Sequence, residues 1–232
     1  MKQLIIEEFE KSGIGISDEQ AEMLALYAKM LIEYNEKMNL TAITEPKEIV
    51  GKHFIDSLLP LSTDKIFLGA KCVDVGTGAG FPGVPIAIMR PDISMTLMDS
   101  LRKRTAFLDA LIAELDLKNC ITATVRAEDA GKSALRESFD IVLSRAVAPL
   151  TVLCELCLPL TACGGHMLAL KSRKIEDENN ADTEYAIKLL GGSALETFGT
   201  QERNVFIVQK IAPTPSTYPR RAGMPEKRPL KA

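Results

Sequence analysis

The run Val73-Asp74-Val75-Gly76-Thr77-Gly78-Ala79-Gly80-Phe81 constrains this chain more than any other segment. A short apolar stretch ends in an acid, breaks into glycines at every second position, and returns to an apolar helical pattern over residues 86–89. Strand, glycine turn, helix is a way of bringing backbone close to a bulky nucleoside, because glycines carry no Cβ to block the approach. The helix N-terminus adds the positive end of a dipole. The pattern predicts a nucleoside-type ligand.

Two ligand classes overlap on these residues. Gly78-x-Gly80-x-x-Gly83 matches the dinucleotide fingerprint, which alone is a weak signal. However, Asp74 precedes glycines spaced by two, the form DxGxGxG found in Rossmann-like enzymes that use S-adenosyl-L-methionine. A dinucleotide places a pyrophosphate on the helix N-terminus. S-adenosylmethionine has no phosphate and carries a cationic sulfonium and an amino group, which a carboxylate beside the loop suits. The remaining reading is a tight turn with no ligand.

The second strand, Met95-Thr96-Leu97-Met98-Asp99, ends in an acid about twenty residues on. An acid there takes the ribose hydroxyls of an adenosine, a device shared with nicotinamide enzymes. The third strand, from residue 121, runs into Ala127, Glu128 and Asp129, where backbone could read the adenine edge. By itself, Glu128 reads as a helix-opening acid.

A chain of 232 residues with 46% hydrophobic content buries a full core. No apolar run approaches eighteen residues, which predicts no membrane span, and the N-terminus lacks the apolar stretch of a signal peptide. Five cysteines, at 72, 120, 154, 157 and 163, are an odd number within mostly apolar segments. They read as reduced thiols of a cytoplasmic protein, and Cys154-x-x-Cys157 as a buried helix face rather than a metal or redox pair. A net charge of −3 argues against non-specific coating of nucleic acid. Cations nevertheless cluster at Arg102-Lys103-Arg104, at Lys171, Arg173 and Lys174, and in the C-terminal segment.

The chain divides into three stretches. Residues 1–65 have helical periodicity, with Ser17-Asp-Glu-Gln20 as an N-cap pattern and Pro46 opening a third helix. Residues 66–212 alternate strands (72–75, 95–99, 120–126, 139–144, 165–170, 193–198, 204–211) with helices (82–89, 102–116, 149–160, 176–190). This alternation predicts an α/β fold with a mostly parallel sheet covered on both faces, ending in an antiparallel hairpin with its turn near residues 201–203. Residues 213–232 are basic, with prolines at 213, 215, 219, 225 and 229, and read as an extended arm that buries little apolar surface.

Four segments carry a family resemblance: Asn39-Leu-Thr-Ala-Ile-Thr44 with Lys52-His53-Phe54-Ile-Asp56-Ser57-Leu58; the loop from Asp74 to Pro85; Asp99-Ser100-Leu-Arg-Lys103-Arg104 with Phe107-Leu108; and Ser144-Arg145-Ala146. The tail Tyr218-Pro-Arg-Arg-Ala-Gly-Met-Pro225 resembles longer relatives. Together they resemble the small-subunit ribosomal RNA methyltransferase G family, also called glucose-inhibited division protein B. The resemblance implies a Rossmann-like class I fold, a seven-stranded sheet with an N-terminal helical extension, and methylation of guanine N7 in 16S ribosomal RNA. It also implies cofactor contacts at Gly76, Phe81, Ala127, Glu128 and Arg145. With Gly78 of the loop and Asp99-Ser100 of the second strand, these make up the expected cofactor set.

Guanine N7 has a lone pair and no proton, so it can attack the sulfonium methyl without a general base. No catalytic base is therefore expected, and no catalytic residue is assigned. Alignment of N7, methyl and sulfur can supply on the order of 7–11 kcal/mol. Lys171, Arg220 and Arg221 are expected to grip RNA phosphates, the target base being flipped into the pocket. The expected partner is small-subunit ribosomal RNA or a ribosomal particle, the expected state a monomer, and no metal is expected. The rivals are a nicotinamide oxidoreductase, for which only His53 and His166 offer imidazole protons, and a non-catalytic RNA-binding protein, which has no use for the glycine loop.

Overall fold

The computed structural model describes residues 1–145, 147–172, 180–199 and 203–232, the side chains of 172 and 203 excepted. The start of the predicted helix at 176, the hairpin turn at 201–202, and Ala146, Arg173 and Lys174 lie outside these residues.

The N-terminal stretch forms α1 (Lys2–Lys11), α2 (Asp18–Met38) and α3 (Pro46–Glu48). Ser17 caps α2: its hydroxyl accepts from the Gln20 amide while the Gln20 side chain accepts from the Ser17 amide, satisfying two otherwise orphaned donors. After α3 the backbone widens into a π-helix over Ile49–Ile55, followed by a 3₁₀ turn over Leu59–Thr63. From there strands and helices alternate: β1 (Lys71–Val75), α4 (Gly83–Met89), β2 (Ser94–Asp99), α5 (Arg102–Glu114), β3 (Cys120–Thr124), α6 (Ala127–Ala130) and β4 (Phe139–Arg145). Next come α7 (Leu150–Cys157), β5 (Thr161–Ser172), α8 (Ala181–Leu189), β6 (Glu196–Gly199), β7 (Arg203–Gln209) and, in the tail, α9 (Met224–Lys227).

The strands make one seven-stranded sheet in the order β3-β2-β1-β4-β5-β7-β6. The pairs within β3, β2, β1, β4 and β5 are parallel, whereas β7 is antiparallel to both β5 and β6. Because side chains alternate along a strand, each continuous apolar run is divided between two cores. Cys72, Leu97, Ile141, Leu143, Leu168 and Ile207 face one core, which they share with Ile5, Phe9, Leu24, Tyr27, Leu31 and Phe54 of the N-terminal helices. Val73, Val75, Val142, Met167, Ala169 and Val208 face the other, against Leu153, Cys154 and Cys157 of α7. The N-terminal helices are thus one cover of the sheet, and Cys154-x-x-Cys157 lies on a buried helix face, as the apolar run predicts.

The tail departs from its expectation as a free arm. Arg136 donates to the carbonyls of Thr214, Pro215 and Tyr218, and Glu137 Oε1 accepts from the Thr214 amide at 2.6 Å. Lys210, fully buried, lies 3.2 Å from Glu137 and hydrogen-bonds the Thr214 hydroxyl. Pro219, Pro225 and Leu230 are buried, Leu230 in the α7-side core. The prolines keep this segment non-helical over most of its length, and it lies along the body as a strap.

Candidate cofactor site

The parallel strands β1, β2 and β4 end on one edge of the sheet, where ligands bind in open α/β folds. There the glycine turn follows β1. Gly76, Gly78 and Gly80 have φ of 70°, 60° and 104°, values that L side chains rarely adopt. Packing adds its own demand at two of them. A Cβ on Gly76 would lie 2.6 Å from Val147 Cγ2, and one on Gly80 2.8 Å from the Tyr27 hydroxyl. At Gly78 the space is open, with no atom nearer than the Gly76 carbonyl at 3.9 Å.

Asp74 shapes this turn from inside. Its Oδ2 accepts from the Thr77 hydroxyl at 2.7 Å and from the Gly83 amide at 2.9 Å, and the residue is fully buried. Its role is to fold the loop on itself, rather than to face a ligand cation as the sequence suggests. The Tyr27 hydroxyl, from α2, donates to the Ala79 carbonyl at 2.5 Å, so the N-terminal helices brace the turn.

Beside the turn lies a cleft of about 300 Å³, at the lower end of small-ligand sites. Gly76, Asp99, Ser100, Ala127, Glu128 and Arg145 all line it, together with Arg104, Arg126, Val147 and Leu156. Asp99 Oδ1 accepts from the Leu101 amide at 2.9 Å, and Oδ2 from the Gly78 amide at 3.1 Å and Arg104 Nη1 at 3.2 Å. A carboxylate oxygen has two lone pairs, so Oδ1 keeps one for a ribose hydroxyl. Ala127 opens α6 and Glu128 follows it, which is the helix-opening position. A purine nucleoside fits this lining: an acid, Asp99, for the ribose and backbone at Ala127 for the base. Among the described residues no His, Cys, Asp or Glu cluster could hold a metal.

Phe81 and Gly78 are not in the cleft wall. Phe81 is 6% exposed and lies behind it, stacked on His53 with centroids 4.4 Å apart and on Tyr27 at 5.2 Å. Arg145 reaches over this stack: its guanidinium carbon is 5.0 Å from the Phe81 centroid, and Nη2 lies 3.0 Å from His53 Nδ1. A guanidinium only donates, so Nδ1 accepts and Nε2–H donates to Thr41 Oγ1 at 2.8 Å. The π-helical widening at Ile49–Ile55 carries both His53 and Phe54 into this cluster; such bulges often mark functional sites.

Two of the three expected phosphate contacts are corrected. Lys171 is buried and its ammonium hydrogen-bonds the Ala148 carbonyl, because its strand position points it toward the loop after β4 rather than to solvent. Arg220 holds Glu155 of α7 with Nε at 2.9 Å from Oε1 and Nη2 at 2.6 Å from Oε2, and Glu155 is 1% exposed. Only Arg221 stands exposed.

The model of the GidB family, described as rRNA small subunit methyltransferase G, matches residues 20–206. Ribosomal RNA small subunit methyltransferase G of Clostridium beijerinckii is 47% identical over 229 residues, spanning 96% of this chain and 95% of that one. The Clostridium perfringens protein of that name is 48% identical, spanning 94% of each. This chain belongs to the ribosomal RNA small subunit methyltransferase G family. The fold agrees: a SAM-dependent methyltransferase from Aquifex aeolicus superposes with a TM-score of 0.57 at 15% identity over 75% of this chain and 97% of its own. A further one, from Methanococcus maripaludis, gives 0.55 at 14% identity over 80% and 92%. As a member of this family the chain uses S-adenosylmethionine, and the nicotinamide reading is set aside.

Sequence reasoning missed Gly223 and Glu226, which line the cleft from the tail. A signal was present: Gly223-Met224-Pro225 is a glycine followed by proline in a first helical turn. Val147 was missed because its contact with Gly76 depends on the path of the loop after β4.

Proposed function

We propose that the chain transfers the methyl group of S-adenosylmethionine to N7 of a guanine in 16S ribosomal RNA, with the cofactor in the cleft beside Gly76. The family membership carries the reaction class. The cleft lining carries the placement: Asp99 for the ribose, Ala127 and Glu128 for the adenine, Gly76 and Arg145 toward the methionyl end. The cofactor, when bound, supplies an electrophilic methyl on a cationic sulfur. The protein's own contribution is alignment, and N7 needs no proton removed. Arg145 is held in place by His53 and Phe81.

RNA approaches this edge of the sheet, where the exposed cations Arg102, Lys103, Arg126 and Arg221 supply sequence-independent phosphate contacts. Reduced, mostly buried cysteines suit a cytoplasmic enzyme. The test is incubation of the full chain with labelled S-adenosylmethionine and small-subunit particles or naked 16S RNA, then mapping of 7-methylguanine by reduction and strand cleavage. The expected result is one cleaved guanine. Label in an exocyclic amine, or none in RNA, would overturn the assignment.

A further inference from the structure

We infer that the C-terminal strap is a wall of the cofactor site, with Gly223 holding Glu128 in the orientation that meets the adenine. This rests on the cleft being the S-adenosylmethionine site. Gly223 and Glu226 line the same cleft as Asp99 and Ala127. The Gly223 amide donates to Glu128 Oε1 at 2.8 Å. Glu128 is 8% exposed, and its Oε2 takes no hydrogen bond among the described residues. The carboxylate is therefore divided in function. One oxygen is fixed by the strap, and the other keeps its lone pairs for a donor in the cleft, such as the exocyclic amine of adenine.

The strap is anchored on both sides of Gly223. Upstream, Arg220 grips Glu155 through its side chain and its amide. Pro219 passes so close to Gly131 that a Cβ there would meet its ring at 2.9 Å. Downstream, Leu230 is buried and the Ala232 amide donates to Asp182 at 3.0 Å. Gly223 itself has φ 77°, and a Cβ added to it would meet nothing within 4 Å, so backbone conformation, rather than crowding, favours glycine there. An amide presented to a carboxylate by a segment fixed on both flanks is a preorganised contact, and its loss leaves Glu128 to rotate.

The test is calorimetric titration of S-adenosylhomocysteine and of adenosine into three proteins: the full chain, the chain ending at Ala222, and the full-length chain ligated with glycolic acid in place of Gly223, a point variant whose backbone ester lacks the amide proton and leaves φ unconstrained. Loss of a charge-assisted hydrogen bond predicts roughly tenfold weaker binding of both ligands in both variants. Equal losses for the two ligands place the effect at the adenosine end. If the shortened chain lacks a cooperative thermal transition, the point variant decides. Affinities within twofold of the full chain in a folded variant overturn the strap's role and leave the cofactor site standing. No binding by the unaltered chain overturns the site itself, and the strap's role with it.

Discussion

Asp74 Oδ1 is buried and has no hydrogen-bond partner, while Oδ2 accepts two. Burial pushes this carboxyl up to about 6 from an ordinary value of 3.8, against the lowering by Thr77 and Gly83. The folded chain therefore holds the proton more tightly than the unfolded one. Between about pH 4 and pH 6 this group makes stability fall as pH rises, by on the order of 3 kcal/mol in total. Asp74→Asn can still accept from Thr77 and Gly83 without burying a charge. Urea midpoints of parent and variant, compared at pH 4.5 and 7.5, are expected to show the variant gaining on the parent as pH rises. A pH-independent difference would contradict the charged state assigned to Asp74. Asp99 presents the complementary case, a carboxylate mostly committed to protein donors with one lone pair left over. Asp99→Ala is expected to weaken adenosine and S-adenosylhomocysteine alike by about tenfold or more. Unaltered adenosine affinity would remove Asp99 from the ribose.

Among the elements, the strap is where reading and structure part most. The strands were legible because continuous apolar runs bounded by glycine and acids admit few alternatives, and β1, β2 and β4 fall within a residue of their predicted ends. The antiparallel β6–β7 pair was also legible. The π-helix was not, since widening by one residue leaves the periodicity of Ile49, Val50, His53 and Phe54 intact. The tail misled for a different reason. Its prolines and arginines describe an extended basic segment correctly, yet nothing local reveals that Glu155, 65 residues earlier, has its carboxylate in an apolar helix face. Removing one partner of a buried pair costs about 3–5 kcal/mol, and with Arg220 partly exposed the lower end applies. Arg220→Ala is expected to lower unfolding free energy by about 3 kcal/mol in urea titrations without ligand. A loss below about 0.5 kcal/mol would mean that the pair is merely a surface contact.

At the scale of the whole molecule, the sheet is covered on one face by the first 65 residues and braced on the other by the last twenty, so both chain ends serve the same edge. Of the expected cofactor residues, Gly76, Asp99, Ser100, Ala127, Glu128 and Arg145 share one cleft; Phe81, one turn beyond the glycines, was drawn behind the wall by Tyr27 and His53. The proposed RNA surface was the least legible, because charge alone does not distinguish Arg221 in solvent from Arg220 on a carboxylate. Arg221→Ala is expected to flatten the log–log salt dependence of RNA binding by about 0.7–0.9, leaving the unfolding midpoint and S-adenosylhomocysteine affinity in place. A parallel salt slope would take Arg221 off the RNA. The Arg220–Glu155 grip also bears on synthesis. Chains emerge N-terminus first, at about 5–20 residues per second, and begin folding before they are finished. Until residue 220 is made, α7 must present its apolar face with an unanswered carboxylate in it, so the final packing of that side waits until Arg220 has left the ribosome.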